Sequence, residues 1–263
     1  MIPRNDPRDG DDQVITPDLP RSIRARLNPT ERYGVRLTLV GLAIALVAIP
    51  FATLTFQVLD DGPLTRFDGG IANHLNSWVH RNESVLPILE GLSWLGRPPL
   101  LAVWVAITAL WCWRSERRRL AVFVIATSLG GGIVDTIVKM AVNRPRPVVD
   151  HPVSTALGKS FPSGHSMSAT VVYGAIALLL LPAAARRWRP WLLGFTVLLV
   201  LAIGTSRLFL GVHFLTDVIG GYLLGLAWLA GAAAVFQAWR HDLAPDAPVE
   251  EDEIGLTHHE PAV

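Results

Sequence analysis

Residues 120–147 read LAVFVIATSLGGGIVDTIVKMAVNRPRP. From Leu120 to Val142 the run is apolar and long enough to cross a bilayer, which takes roughly 20 mostly apolar residues. Yet it carries Asp135 and Lys139, and it ends in arginines and prolines. Ionisable side chains inside a spanning helix are costly and mark function. A spacing of four places Asp135 and Lys139 on one helix face, so the carboxylate is expected to pair with the ammonium and aim it. Gly130, Gly131 and Gly132 read as a close helix contact.

Working outward, further apolar runs are Leu37 to Leu59, Gly164 to Leu181, Trp191 to Leu210 and Phe214 to Trp239. A shorter run, Leu100 to Trp113, is expected to begin at Pro98 or Pro99 as first-turn prolines. It would borrow length from the arginines after it, whose stems can snorkel. The composition agrees, with 51% hydrophobic and 17% charged residues against about 25% charged in soluble domains. The expected fold is therefore all-α: a polytopic membrane protein with six transmembrane helices in a bundle.

That bundle occupies residues 34–240. Residues 1–33 read as a disordered cytoplasmic tail with no cleavable signal. Residues 241–263 read as a disordered acidic tail, with Glu250, Glu251, Asp252 and Glu253. His258 and His259 lie there without a third ligand in sight. The net charge of +1 argues against a nucleic-acid partner. A single cysteine, Cys112, excludes an internal disulfide and reads as a small apolar helix residue.

Basic residues in short loops set orientation. Arg21, Arg24, Arg26, Arg32 and Arg36 precede the first run; Arg114, Arg117, Arg118 and Arg119 follow the second; Arg186, Arg187 and Arg189 follow the fourth. All fall on one side, taken as the cytoplasm, with both termini there. Between the first two runs, Phe67, Ile71, Leu75, Trp78 and Val79 recur at helical spacing. That segment is an amphipathic helix, lying either in the outer interface or on its own protein.

With spans alternating in direction, the polar residues collect at the opposite, extracytoplasmic end. They are Lys139, Arg144 and Arg146, then Pro162, Ser163, Gly164 and His165, then Ser206 and Arg207, then His213 and Asp217. Lys139, Arg146 and Arg207 have little nearby to neutralise them, and such a set suits phosphate oxygens. Ser163 and Gly164 sit at a helix start, where backbone N–H groups can point at an anion. His213 and Asp217 share a helix face, so the carboxylate can fix the imidazole tautomer. The residues alone do not say which histidine attacks.

Lys139, Arg146 and Pro147 meet the pattern Lys-x6-Arg-Pro, residues 162–165 are Pro-Ser-Gly-His, and Ser206, Arg207, His213 and Asp217 meet Ser-Arg-x5-His-x3-Asp. This resembles the tripartite signature of the type 2 phosphatidic acid phosphatase and vanadium haloperoxidase superfamily, in its membrane-bound branch. The resemblance implies His213 as nucleophile, forming a phosphohistidine, with Asp217 orienting it. His165 would protonate the leaving oxygen and then help activate water. Lys139, Arg146, Arg207, Ser163 and Gly164 would hold the phosphoryl group. No metal-ligand set is visible, so neither metal nor cofactor is expected.

The expected substrate is a membrane lipid phosphate or diphosphate: an isoprenyl diphosphate, phosphatidic acid or phosphatidylglycerophosphate. Alternatives are a lipid phosphotransferase using the same intermediate, a haloperoxidase, or a transporter with a phosphate site. The oligomeric state is left open.

Overall fold

The computed structural model describes residues 32–242. The expected tails, with His258, His259 and most of the N-terminal arginines, lie outside the described residues. Among the described residues the regular secondary structure is helical, with no strand. In order come α1 (Arg32–Leu59), α2 (Asp68–Arg81), a 3₁₀ turn (Glu83–Val85), α3 (Leu86–Leu95), α4 (Pro98–Arg114), α5 (Arg118–Val142), α6 (Gly164–Leu180), α7 (Arg189–Phe209) and α8 (Leu215–Asp242).

Among the described residues, three helices are long and apolar enough to cross a membrane: Arg118–Val142, Arg189–Phe209 and Leu215–Gln237. Their outward faces stay apolar along their length. On α5 the exposed stripe is Val122, Ile125, Leu129, Ile133, Ile137 and Met140; on α7 it includes Trp191, Phe195 and Leu198. An apolar girdle of this extent marks contact with lipid rather than water.

The short second run lies on Pro98–Arg114, which takes in Arg114 at its end. Glu83–Leu95 and Pro98–Arg114 form a pair bent by 48°, which makes a fourth candidate crossing when the two are taken as one span. The cause is local. Pro98 offers no N–H, and the residue before a proline avoids the helical region. Arg97 is accordingly extended, with φ −70° and ψ 138°, and α4 starts on Pro98 as expected.

Helix α6 is the centre of the bundle. It packs against α4, α5, α7 and α8, and it buries Ser166, Met167, Ala169, Thr170, Val171, Val172, Ala175 and Ala177. Small residues permit this. A Cβ on Gly221 of α8 would stand 2.6 Å from the Ser163 carbonyl oxygen, and one on Gly225 would stand 3.0 Å from that of Met167. The α5 glycines behave as contact residues in part. Gly130 and Gly131 abut Trp228, and Gly131 also Val171, whereas Gly132 faces open space.

Helix α2 packs on α7 and α8. Its buried face is Asp68, Ala72, Asn76 and Val79, while Phe67 and Trp78 remain exposed. Trp78 meets Phe209 edge-on at 5.7 Å. Of the expected apolar stripe only Val79 is buried, so the helix packs on its own protein through a different face.

Candidate active site

Two helices end and two begin at one end of the bundle. Lys139 lies in the last turn of α5, and Arg207 in the last turn of α7. Gly164 and His165 open α6, and Asp217 lies in the first turn of α8. The segment from Asn143 to Ser163 joins α5 to α6. It leaves α5 through Asn143 in the left-handed region, φ 55°, and folds back so that Ser160 N–H donates to the Arg144 carbonyl (2.9 Å).

His213 and Asp217 form the expected pair. His213 Nδ1 lies 3.3 Å from Asp217 Oδ2, and the same oxygen accepts from Phe214 N–H at 2.9 Å. Arg146 Nη1 lies 3.2 Å from His213 Nε2. A guanidinium can only donate, so this contact makes Nε2 the acceptor and puts the ring proton on Nδ1, towards Asp217. Nε2 is thus unprotonated, and its single lone pair accepts from Arg146 in this arrangement. Burial lowers the His213 imidazole from 6.5 to about 4; the hydrogen bond and charge of Asp217 oppose that, while Arg146 and Arg207 reinforce it. His213 is therefore neutral at neutral pH.

Arg146 is held rigidly. Nη1 donates to the Val212 carbonyl (2.8 Å), Nη2 to Leu157 (2.9 Å) and Nε to Gly158 (3.1 Å). Burial lowers its pKa, and the Asp217 charge offsets part of that. Arg207 Nη1 donates to Ser93 Oγ at 2.5 Å, so α3 supports a site residue that its sequence gave no sign of. Arg207 Nε and His165 Nε2 are buried without a hydrogen-bond partner.

Lys139 is the paired cation that its spacing from Asp135 predicts. Its Nζ donates to both Asp135 oxygens, at 2.5 and 2.6 Å, as the one-turn spacing led us to expect. This pair lies against Gly164, where a Cβ would stand 3.0 Å from Nζ and 3.1 Å from Asp135 Oδ2. The helix start also differs from expectation at one position. Ser163 N–H donates to the Asp217 carbonyl (2.9 Å), so it is not aimed at an anion. Its hydroxyl oxygen accepts from Ser166 Oγ (3.1 Å). Arg144, which had no assigned role, bonds Asp217, Thr216 and Asp68.

Every residue of the predicted cluster thus reaches one end of the bundle. Among the described residues, no group of three or more His, Cys, Asp or Glu is placed to hold a metal ion.

The profile of the PAP2 superfamily matches residues 120–241. Phosphatidylglycerophosphatase B of Bacillus subtilis (strain 168) is 41% identical over 97 residues, which is 36% of this chain and 47% of that protein. The putative undecaprenyl-diphosphatase YbjG of Escherichia coli (strain K12) is 32% identical over 152 residues, 55% of this chain and 69% of that protein. The matched segments thus span about half to two thirds of these relatives. In three dimensions the chain is similar to a transmembrane PAP2-type phosphatidylglycerolphosphate phosphatase from Bacillus subtilis, with a TM-score of 0.66 at 22% identity, covering 74% of this chain and 96% of that one. With the fold shared and the motif cluster inside the matched segment, the chain belongs to the PAP2 superfamily.

Proposed function

We propose that this chain is a metal-independent membrane lipid phosphatase acting through a phosphohistidine on His213. The observation that carries the reading is the two-sided hold on that imidazole, Asp217 on Nδ1 and Arg146 on Nε2. Attack on phosphorus needs a neutral imidazole, and the lone pair that Arg146 holds at Nε2 becomes the attacking pair once the phosphoryl oxygens take up that N–H.

His213 Nε2 attacks phosphorus as the bond from phosphorus to the lipid oxygen breaks. His165 delivers a proton to that oxygen. Water then attacks the phosphohistidine, His165 takes its proton, and the P–N bond breaks to release inorganic phosphate. Lys139, Arg146 and Arg207 meet the charge on the equatorial oxygens, with the Ser163 hydroxyl and the Gly164 N–H completing the cradle. General acid help supplies about 10²–10⁴ in rate. The cation cradle must supply most of the rest.

The same reading takes α1, the bent α3–α4 pair and α5 to α8 as six crossings, with the site facing the extracytoplasmic side and both termini in the cytoplasm. The Arg118 end of α5 and the Arg189 end of α7 are the ends away from the site, as the positive-inside rule requires. A lipid phosphate at headgroup depth then reaches the cradle while its tails stay in hydrocarbon. Between substrates, the reading favours an isoprenyl diphosphate over phosphatidic acid. Arg97 supports this: it is exposed at the break between α3 and α4, within electrostatic reach of His165 and Arg207. That is the leaving-group side, and a diphosphate leaves as a charged lipid monophosphate.

Purified protein assayed on phosphatidic acid, phosphatidylglycerophosphate and isoprenyl diphosphates tests the activity. Wild type should acquire an acid-labile phosphoryl label and His213→Ala should acquire none, with turnover abolished. Normal turnover by His213→Ala would refute the mechanism.

A further inference from the structure

Arg144 is the cation that the phosphate cradle does not use. Its Nη1 donates to Asp217 Oδ1 (2.6 Å) and Thr216 Oγ1 (2.7 Å), and its Nη2 donates to Asp68 Oδ2 (2.8 Å). Thr216 Oγ1 donates in turn to Asp68 Oδ2, and Thr216 N–H donates to Asp68 Oδ1 (3.2 Å). The guanidinium lies 4.2 Å above the Phe214 ring. Asp68 is 1% exposed. It opens α2 and lies outside the matched segment 120–241.

The charges explain why a second carboxylate is needed. Asp217 must lend negative charge to His213 as the imidazole takes up a phosphoryl group. Arg144, bonded to the same carboxylate, cancels that charge. One guanidinium shared between two carboxylates leaves the trio with a single net negative charge, whereas without Asp68 it would have none. In a buried setting the difference is felt strongly at the imidazole. The other groups facing His213 are Arg146 of the connecting segment, Arg207 of α7 and His165 of α6. None of them supplies negative charge.

We infer that Asp68 is a positioning residue for the nucleophile, balancing Arg144 so that Asp217 keeps both its charge and its hold on His213. The inference rests on His213 being the nucleophile. It makes α2, a helix outside the signature, part of the catalytic apparatus.

Three variants test it: Asp68→Asn, Arg144→Gln, and the two combined. Asp68→Asn should lower kcat by about 10–100-fold, the range for partners that orient a functional imidazole, while KM changes by less than roughly threefold because no substrate contact is lost. The combined variant restores the single negative charge, so it should turn over faster than Asp68→Asn alone. A role confined to fixing α2 in place predicts the reverse, with losses that multiply. Wild-type kcat in Asp68→Asn, or a combined variant slower than Asp68→Asn, overturns the inference. Should Asp68→Asn fail to fold, a combined variant that folds and turns over gives the same support, and one that is unfolded or inactive overturns it. Wild-type protein with no turnover on any lipid phosphate would instead remove the reading of the site itself.

Discussion

Gly164 shows how a single missing methyl group shapes the cradle. The Asp135–Lys139 pair occupies the space a side chain would take, so the ammonium can approach the start of α6. Removing Lys139 itself is a blunt test, because it strands the half-buried Asp135 carboxylate without its partner. Gly164→Ala is cleaner. The added Cβ pushes the pair by a few tenths of an ångström and leaves every charge in place. Since a displacement of about 1 Å can cost 10²-fold, kcat should fall on the order of tenfold with Tm nearly unchanged. Parallel kinetics and thermal unfolding in detergent check this, and an unaltered kcat would refute it. The pairing was legible in the sequence because both partners ride one helix at a fixed spacing. The division of labour between Arg144 and Arg146 was not. Both arginines stand in one Arg-Pro repeat, and only the path of the connecting segment turns Arg146 to His213 and Arg144 to two carboxylates. One of those, Asp68, is brought from another helix 76 positions away.

Among the elements, the break between α3 and α4 was the hardest to read. Pro98 marked where α4 starts, but α3 before it is only ten residues and has no signal of its own for a crossing. The long helices were legible because their apolar runs exceed any soluble alternative. The break brings Gly96 against His165, where a Cβ would stand 3.1 Å from the ring. In the proposed mechanism Arg97, beside it, stands on the leaving-group side. Arg97→Gln should therefore reduce kcat/KM for an isoprenyl diphosphate roughly tenfold more than for phosphatidic acid, a modest factor because the side chain is exposed and screened. Specificity constants on matched detergent-solubilised substrates decide it, and equal losses on both would end the case for a diphosphate.

For the whole molecule, the apolar girdle and the basic ends are independent signs of a membrane orientation, and both were visible in the sequence as run length and loop charge. The proposed side of the site rests on them. Val148 is 98% exposed on the segment that joins α5 to α6, and the chain's single cysteine, Cys112, is buried. Val148→Cys in a Cys112→Ala background should react with an impermeant thiol reagent on intact cells. Labelling only after lysis would reverse the topology and remove an outer-leaflet substrate with it. One bond bears on how the enzyme lives in such a membrane. Ser163 N–H on the Asp217 carbonyl ties the first turn of α6 to that of α8, next to glycines that admit no gap between them. When a thinner or thicker bilayer tilts its helices, these two must lean as one piece. The start of α6, which carries His165, is thereby coupled to the start of α8, which carries Asp217.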